Sequence, residues 1–158
     1  TLKAPDFRAR LNQTLGRLSQ LPTNTPNNKE VKMSENAEFY EGFWKVVGWA
    51  ESRGIDVIVD NEYEDAYWSD VKQITISSKN RIENRLYSLL HECGHALVRT
   101  NKTNFAKQYP AHAEVNYDKR VTNSRKYKVS VVEEEVEAWK RGLRLARRLD
   151  IYVDDSKC

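Results

Sequence analysis

Cysteine, histidine and long apolar runs are all scarce in this chain of 158 residues. Two cysteines, Cys93 and Cys158, are too few for a disulfide framework, and this points to a reducing, cytoplasmic setting. No apolar run approaches the ~20 residues that a membrane span requires, so a membrane partner is not expected. The opening Thr-Leu-Lys-Ala-Pro-Asp-Phe lacks the charged-then-apolar layout of a secretory signal, and its leading Thr fits an initiator Met removed by processing. There is no internal repeat and no low-complexity tract. What remains is an ordinary globular composition, 39% hydrophobic and 31% charged, at a length that suits one domain with a core.

Hydrophobic spacing predicts the elements. Phe7, Leu11, Leu15 and Leu18 fall at helical spacing over residues 5–20, and a loop of Pro, Thr and Asn follows from Leu21 to Lys29. This separates a helical appendage and linker, residues 1–30, from a main domain, residues 31–158. A second helix is expected from Ser34 to Ser52, with Phe39, Phe43, Val46, Val47 and Ala50 as its apolar face and Gly54 as its stop. Strands are expected at Ile55–Val59 and Val71–Ser77. A third helix covers Ile82 to Val98. The stretch from Thr100 to Val129 reads as irregular, and a last helix runs from Val131 to Leu149. The expected class is α+β: a small domain with a short sheet packed against the third helix and the last.

The net charge of +3 is unevenly spread. Eight basic residues, from Arg99 and Lys102 to Lys126 and Lys128, stand against only Glu114 and Asp118 in the 99–128 stretch. Such a run either is a solvated surface or attracts nucleic acid or an acidic, DNA-associated protein.

The chemistry is concentrated in His91-Glu92-Cys93-Gly94-His95, an H-E-x-x-H pattern. Residues four apart on a helix lie one above the other, so both imidazoles reach a single ion. Glu92 falls beside that ion, where it can take a proton from the attacking water. Leu86, Leu89, Leu90, Cys93 and Leu97 form a stripe nearly opposite the histidines, which would anchor one face and leave the other to line a cleft. Cys93 sits on that stripe and reads as a small buried hydrophobe.

A catalytic zinc site has three protein ligands and an open position. Position 101 holds Asn101, which rules out a third histidine six residues after His95. The candidates are His112 and the acidic cluster of the last helix. Taking Val136, Trp139, Leu143 and Ala146 as that helix's buried stripe, Glu135 lies about 60° from its centre, while Glu134 and Glu137 lie about 140–160° away. Glu135 is therefore the favoured ligand, with Glu134 and Glu137 as solvated charges near a helix N-terminus. His112 reads as a surface histidine, a third ligand or a catalytic group that stabilises the oxyanion.

The run Leu89-Leu-His-Glu-Cys-Gly-His-Ala-Leu97, followed some forty residues on by Glu135-Val-Glu-Ala-Trp-Lys-Arg-Gly-Leu, resembles the small zincin metallopeptidases of the ImmA/IrrE-like kind, phage-associated versions above all. SprT-like proteases resemble it more distantly. The resemblance covers Ile55 to Leu149. It implies Zn2+ as cofactor, His91, His95 and Glu135 as ligands, Glu92 as base, and a repressor or other DNA-associated protein as substrate. The Met-Pro ending common in that family is replaced here by Leu149-Asp-Ile-Tyr-Val153.

The expected activity is thus zinc-dependent endopeptidase hydrolysis. An extended substrate would add to the Val71–Ser77 strand, and an oxyanion donor would come from Tyr109, Tyr117, Tyr127 or His112. The rival is an inactive zincin scaffold that binds nucleic acid or an acidic protein through its basic surface. Trp68 is expected to be an exposed contact between two strands.

Overall fold

The computed structural model describes residues 28–110 and 119–154, with the backbone alone for 28–35. The expected helix over 5–20, His112 and Tyr117 lie outside the described residues. The chain divides into two compact units, Thr1–Met33 and Ser34–Cys158. The second is α+β, with a three-stranded mixed sheet and helices.

Helix α1, Asn28–Glu51, carries Phe43, Val46, Val47 and Ala50 into the core. It stops where Gly54 takes φ +69°, with Gly54 N–H bonded to Glu51 O (2.9 Å) and Ile55 N–H to Ala50 O (3.1 Å). This pair of bonds satisfies the last carbonyls and turns the chain into the sheet, and the positive φ is why glycine stands there.

Strands β1 (Asp56–Asp60), β2 (Ala66–Trp68) and β3 (Gln73–Ser77) lie in the order β1-β3-β2. The β1–β3 pair is parallel, with Val57 opposite Ile74, and β2–β3 is antiparallel, with Tyr67 opposite Ile74. The central β3 buries Ile74, Thr75 and Ile76 in succession, which is why its apolar alternation is imperfect in the sequence. The expected substrate strand, Val71–Ser77, is this central strand, and its two edges are already paired. Among the described residues the outer strands are β1 and β2, and β2, which lies beside Glu92, is a three-residue strand too short for periodicity to reveal.

Helix α2, Ile82–Arg99, matches its expected span to one residue. It is buried on more than the leucine stripe: Glu92, Gly94, His95, Ala96 and Val98 are covered too, because the sheet packs on one side and the last helix on another. The region expected to be irregular is instead helical where described. Helix α3 spans Lys102–Gln108, α4 spans Lys119–Thr122, and α5 begins at Arg125, six residues before its expected start, and runs to Arg148. Side-chain caps explain two of these starts: Asn101 accepts from Asn104 N–H (3.0 Å) and Ser124 from Tyr127 N–H (3.2 Å).

The α2–α5 contact decides the geometry of the centre. α5 buries Ser130, Glu134, Ala138, Gly142, Leu145 and Ala146, whereas Val136, assigned to the stripe, is 47% exposed. A Cβ on Gly94 would stand 2.0 Å from Ala138 O, and one on Gly142 would stand 2.5 Å from Leu90 O. The two backbones touch, so small residues mark the interface instead of large apolar ones.

Candidate metal centre

Both histidines of the motif project from one face of α2. His91 Nε2 and His95 Nε2 are 3.1 Å apart. From α5, the Glu135 carboxylate reaches both: Oε2 lies 3.0 Å from His91 Nε2 and Oε1 3.5 Å from His95 Nε2. Two ring nitrogens and a carboxylate from helices some forty residues apart in sequence thus share one point. Two nitrogens bound tetrahedrally to one zinc lie about 3.3 Å apart, given bonds of about 2.0–2.1 Å. The donor set therefore fits a cation of that size. The Glu135 side chain is 48% exposed, so the group is open to solvent on that side.

Glu92 completes a His91–Glu92–His95 group whose candidate ligand atoms lie within 4.8 Å of one another. Its side chain is buried, and burial pushes its pKa up to about 7. The charge of His95 and a backbone hydrogen bond from Tyr67 on β2 pull the other way, while Glu135 and Asp65 add to the rise. The base candidate therefore sits between the helix and the free sheet edge. β2 is held there by Asp65, whose carboxylate accepts from Ser77 N–H (2.6 Å) and Ser88 Oγ (2.6 Å), and by Thr75, whose hydroxyl donates to Glu64 O (2.8 Å). Ser88 is one turn before Glu92, so Asp65 ties the approach to β2 onto the same face of α2.

The two histidines are held differently. His95 Nδ1 lies 3.1 Å from Glu134 Oε1, and that same oxygen accepts from Arg99 Nε at 2.7 Å. Burial works against a charged His95, but the bond to Glu134 and the charges of Glu92 and Glu135 prevail and its pKa is raised. His91 is lowered, by burial first and the neighbouring His95 second. Its ring lies against Trp139, 4.5 Å between centroids, and its buried Nδ1 has no hydrogen-bond partner among the described residues.

The sequence-predicted residues divide clearly. His91, Glu92, His95 and Glu135 are brought together. Tyr109 is 1% exposed and takes its charged neighbours from the α5 acids and Arg141, while Tyr127 is half-buried in the first turn of α5. Glu134 departs from its expected role: it is 0% exposed, in the third turn of α5, and not a solvated charge near the N-terminus. The four-residue spacing of Ser130, Glu134, Ala138 and Gly142 is the signal that marks this face, since only small residues allow the backbones to close. Glu137 is engaged on the surface by Arg141 (2.8 Å) and Arg144 (3.2 Å). Trp68 is 54% exposed, within β2, and its indole donates to Thr75 Oγ1 at 3.2 Å. Among the described residues, no helix is long and apolar enough to cross a membrane.

Comparison with protein-family models, with curated proteins and with solved structures gave no match to this chain.

Proposed function

We propose that this chain is a zinc-dependent endopeptidase, with His91, His95 and Glu135 holding the ion and Glu92 acting as general base. The observation that carries the reading is the meeting of both Nε2 atoms and the Glu135 carboxylate within 3.0–3.5 Å, on the side of α2 where Glu92 also lies. Two neutral imidazoles and one carboxylate, with a side left open, are the donor set of a catalytic zinc rather than a closed structural one. Bound there, zinc supplies Lewis acidity toward a water and toward the scissile carbonyl.

The chain's own groups supply the rest. Glu92 takes the proton from the attacking water and delivers it to the leaving amine nitrogen, a role suited to a carboxyl held near neutrality by burial. The outer edge of β2 pairs with no strand among the described residues, and apart from the Tyr67 backbone group that Glu92 engages, an extended peptide segment can add to it as a further strand. The half-exposed Glu135 leaves the approach to the centre open.

Metal analysis of the wild type, His91→Ala and Glu135→Ala tests the centre, and peptide hydrolysis by wild type and Glu92→Gln tests the chemistry. The expected result is about one zinc per wild-type chain, lost in both ligand variants. Glu92→Gln should keep the metal and lose about 10²–10⁴-fold in rate. Full hydrolysis by Glu92→Gln, or a wild type that takes up no zinc, would sink the reading.

A further inference from the structure

A fully buried carboxylate is costly unless it is paired, and interhelical ion pairs of this kind contribute little net stability. Glu134 nevertheless lies at 0% exposure on the face of α5 that also buries Ser130, Ala138 and Gly142. Its Oε1 is shared between Arg99 Nε (2.7 Å) and His95 Nδ1 (3.1 Å). The other nitrogen of the His95 ring, Nε2, is one of the two that converge on Glu135.

We propose that Glu134, held in place by Arg99, is the positioning residue of the centre: it fixes the ring orientation and tautomer of His95, so that Nε2 alone presents its lone pair to the ion. This rests on the metal-site reading above. A carboxylate oxygen that also accepts from Arg99 is an acceptor toward Nδ1, so that nitrogen carries the proton, and in the neutral ring Nε2 then holds the lone pair facing His91 Nε2 and Glu135. Arg99 uses the same oxygen, so the carboxylate cannot turn away without breaking a second charge-assisted bond. Nothing equivalent holds His91, whose ring is placed by the face of Trp139 and whose Nδ1 has no partner among the described residues. At Nδ1 the two ligands are therefore unequal: that of His95 is held by a polar bond, while that side of the His91 ring is placed by packing. A carboxylate that sets its neighbour's lone pair is also reason enough to retain a buried Glu where a small residue would pack.

The test is the zinc dissociation constant, measured by competition with a chromophoric chelator, for wild type, Glu134→Gln, Glu134→Ala and Arg99→Gln. The melting transition of each metal-free form is recorded alongside. Glu134→Ala should bind zinc about 10–100-fold more weakly. Glu134→Gln, which keeps an acceptor oxygen without the charge, should recover part of that loss, and Arg99→Gln should fall between wild type and Glu134→Ala. A purely structural role predicts altered melting with affinity unchanged; a Glu134→Ala or Arg99→Gln protein that is folded and binds zinc as tightly as wild type overturns the proposal. If Glu134→Ala does not fold, the Gln variants decide alone. A wild type that binds no zinc at all defeats the metal-site reading itself and this proposal with it, an outcome distinct from tight binding that ignores Glu134.

Discussion

Gly94 on α2 and Ala138 on α5 stand in direct backbone contact, so that a Cβ on the glycine would lie 2.0 Å from the Ala138 carbonyl oxygen. The glycine inside the His91–His95 motif is thus what lets α5 come close enough for Glu135 to reach both rings. Gly94→Ala should force the helices apart and cost about 1–3 kcal/mol or more by urea unfolding, with zinc uptake lost in whatever remains folded. Gly48, in the interior of α1 with nothing within 4 Å of its would-be Cβ, is the matched control. Gly48→Ala should stabilise by roughly 0.5–1 kcal/mol. Opposite signs for the same chemical change would locate the effect in the contact and not in helix propensity.

Zinc should stabilise the fold by linkage. A ligand set preformed in the native state and absent from the unfolded chain adds about 2.7 kcal/mol when free metal is 100-fold above its dissociation constant. Chelation should lower the melting temperature accordingly, and His91→Ala should melt at one temperature with or without metal. A wild-type melting curve indifferent to both zinc and chelator would contradict this.

In the metal-free protein, stability should fall as pH rises through the window set by Glu92. Its folded-state pKa is raised from 4.5 to about 7. Between those values the folded chain keeps a proton that the unfolded chain has released, and so each step up in pH favours unfolding. His95, also raised, adds a loss in the same direction as pH passes its folded value, whereas the lowered His91 works the other way. The Glu92 contribution is isolated by difference. Glu92→Gln should gain stability relative to wild type as pH climbs from about 4.5 to about 7, read from denaturant midpoints with metal stripped. A constant difference across that range would remove Glu92 as the titrating group.

Asp65 should matter beyond its own loop. It joins the approach to β2 to Ser77 N–H and to Ser88 Oγ on α2, each at 2.6 Å. Asp65→Ala removes both bonds and should cost about 1–3 kcal/mol. It should also raise amide exchange at Tyr67 of β2, while zinc affinity, on the proposed ligand set of His91, His95 and Glu135, stays near wild type. Unchanged exchange at Tyr67 would show that Thr75 and the ladder to β3 hold the edge strand unaided.

Several features needed nothing beyond local chemistry to be read. The i, i+4 histidines with Glu92 between them, the helix over Ile82–Val98, the apolar face of Phe43, Val46, Val47 and Ala50, and the stop at Gly54 all follow from one-dimensional periodicity and from the backbone freedom of glycine. The neighbourhood of Glu135 with the histidines was also indicated by its helical phase, although Val136 of the expected stripe turns outward while Ala146 is buried and Trp139 and Leu143 are half-buried. Apolar size does not mark the buried side along the whole helix: Val136 is 47% exposed, and Ser130, Glu134, Ala138 and Gly142 are buried together with Leu145 and Ala146. The helices of the 99–128 stretch were missed because basic residues obscure any apolar period there.

Residue order along the chain therefore determined which groups could form a centre: the spacing of His91 and His95, Glu92 between them, and a second acid-bearing helix to face them. Tertiary structure alone decided how close that second helix comes. With it came the choice of Glu134 for burial against Arg99 and His95, the exposure of Glu135 on the open side, and the placing of β2 instead of Val71–Ser77 at the free edge. The physical reason is that helix phase and strand alternation record which way a side chain points, while the distance between two elements depends on the volumes of both partners at once. Gly94 and Gly142 carry no signal of their own until Ala138 and Leu90 are placed against them.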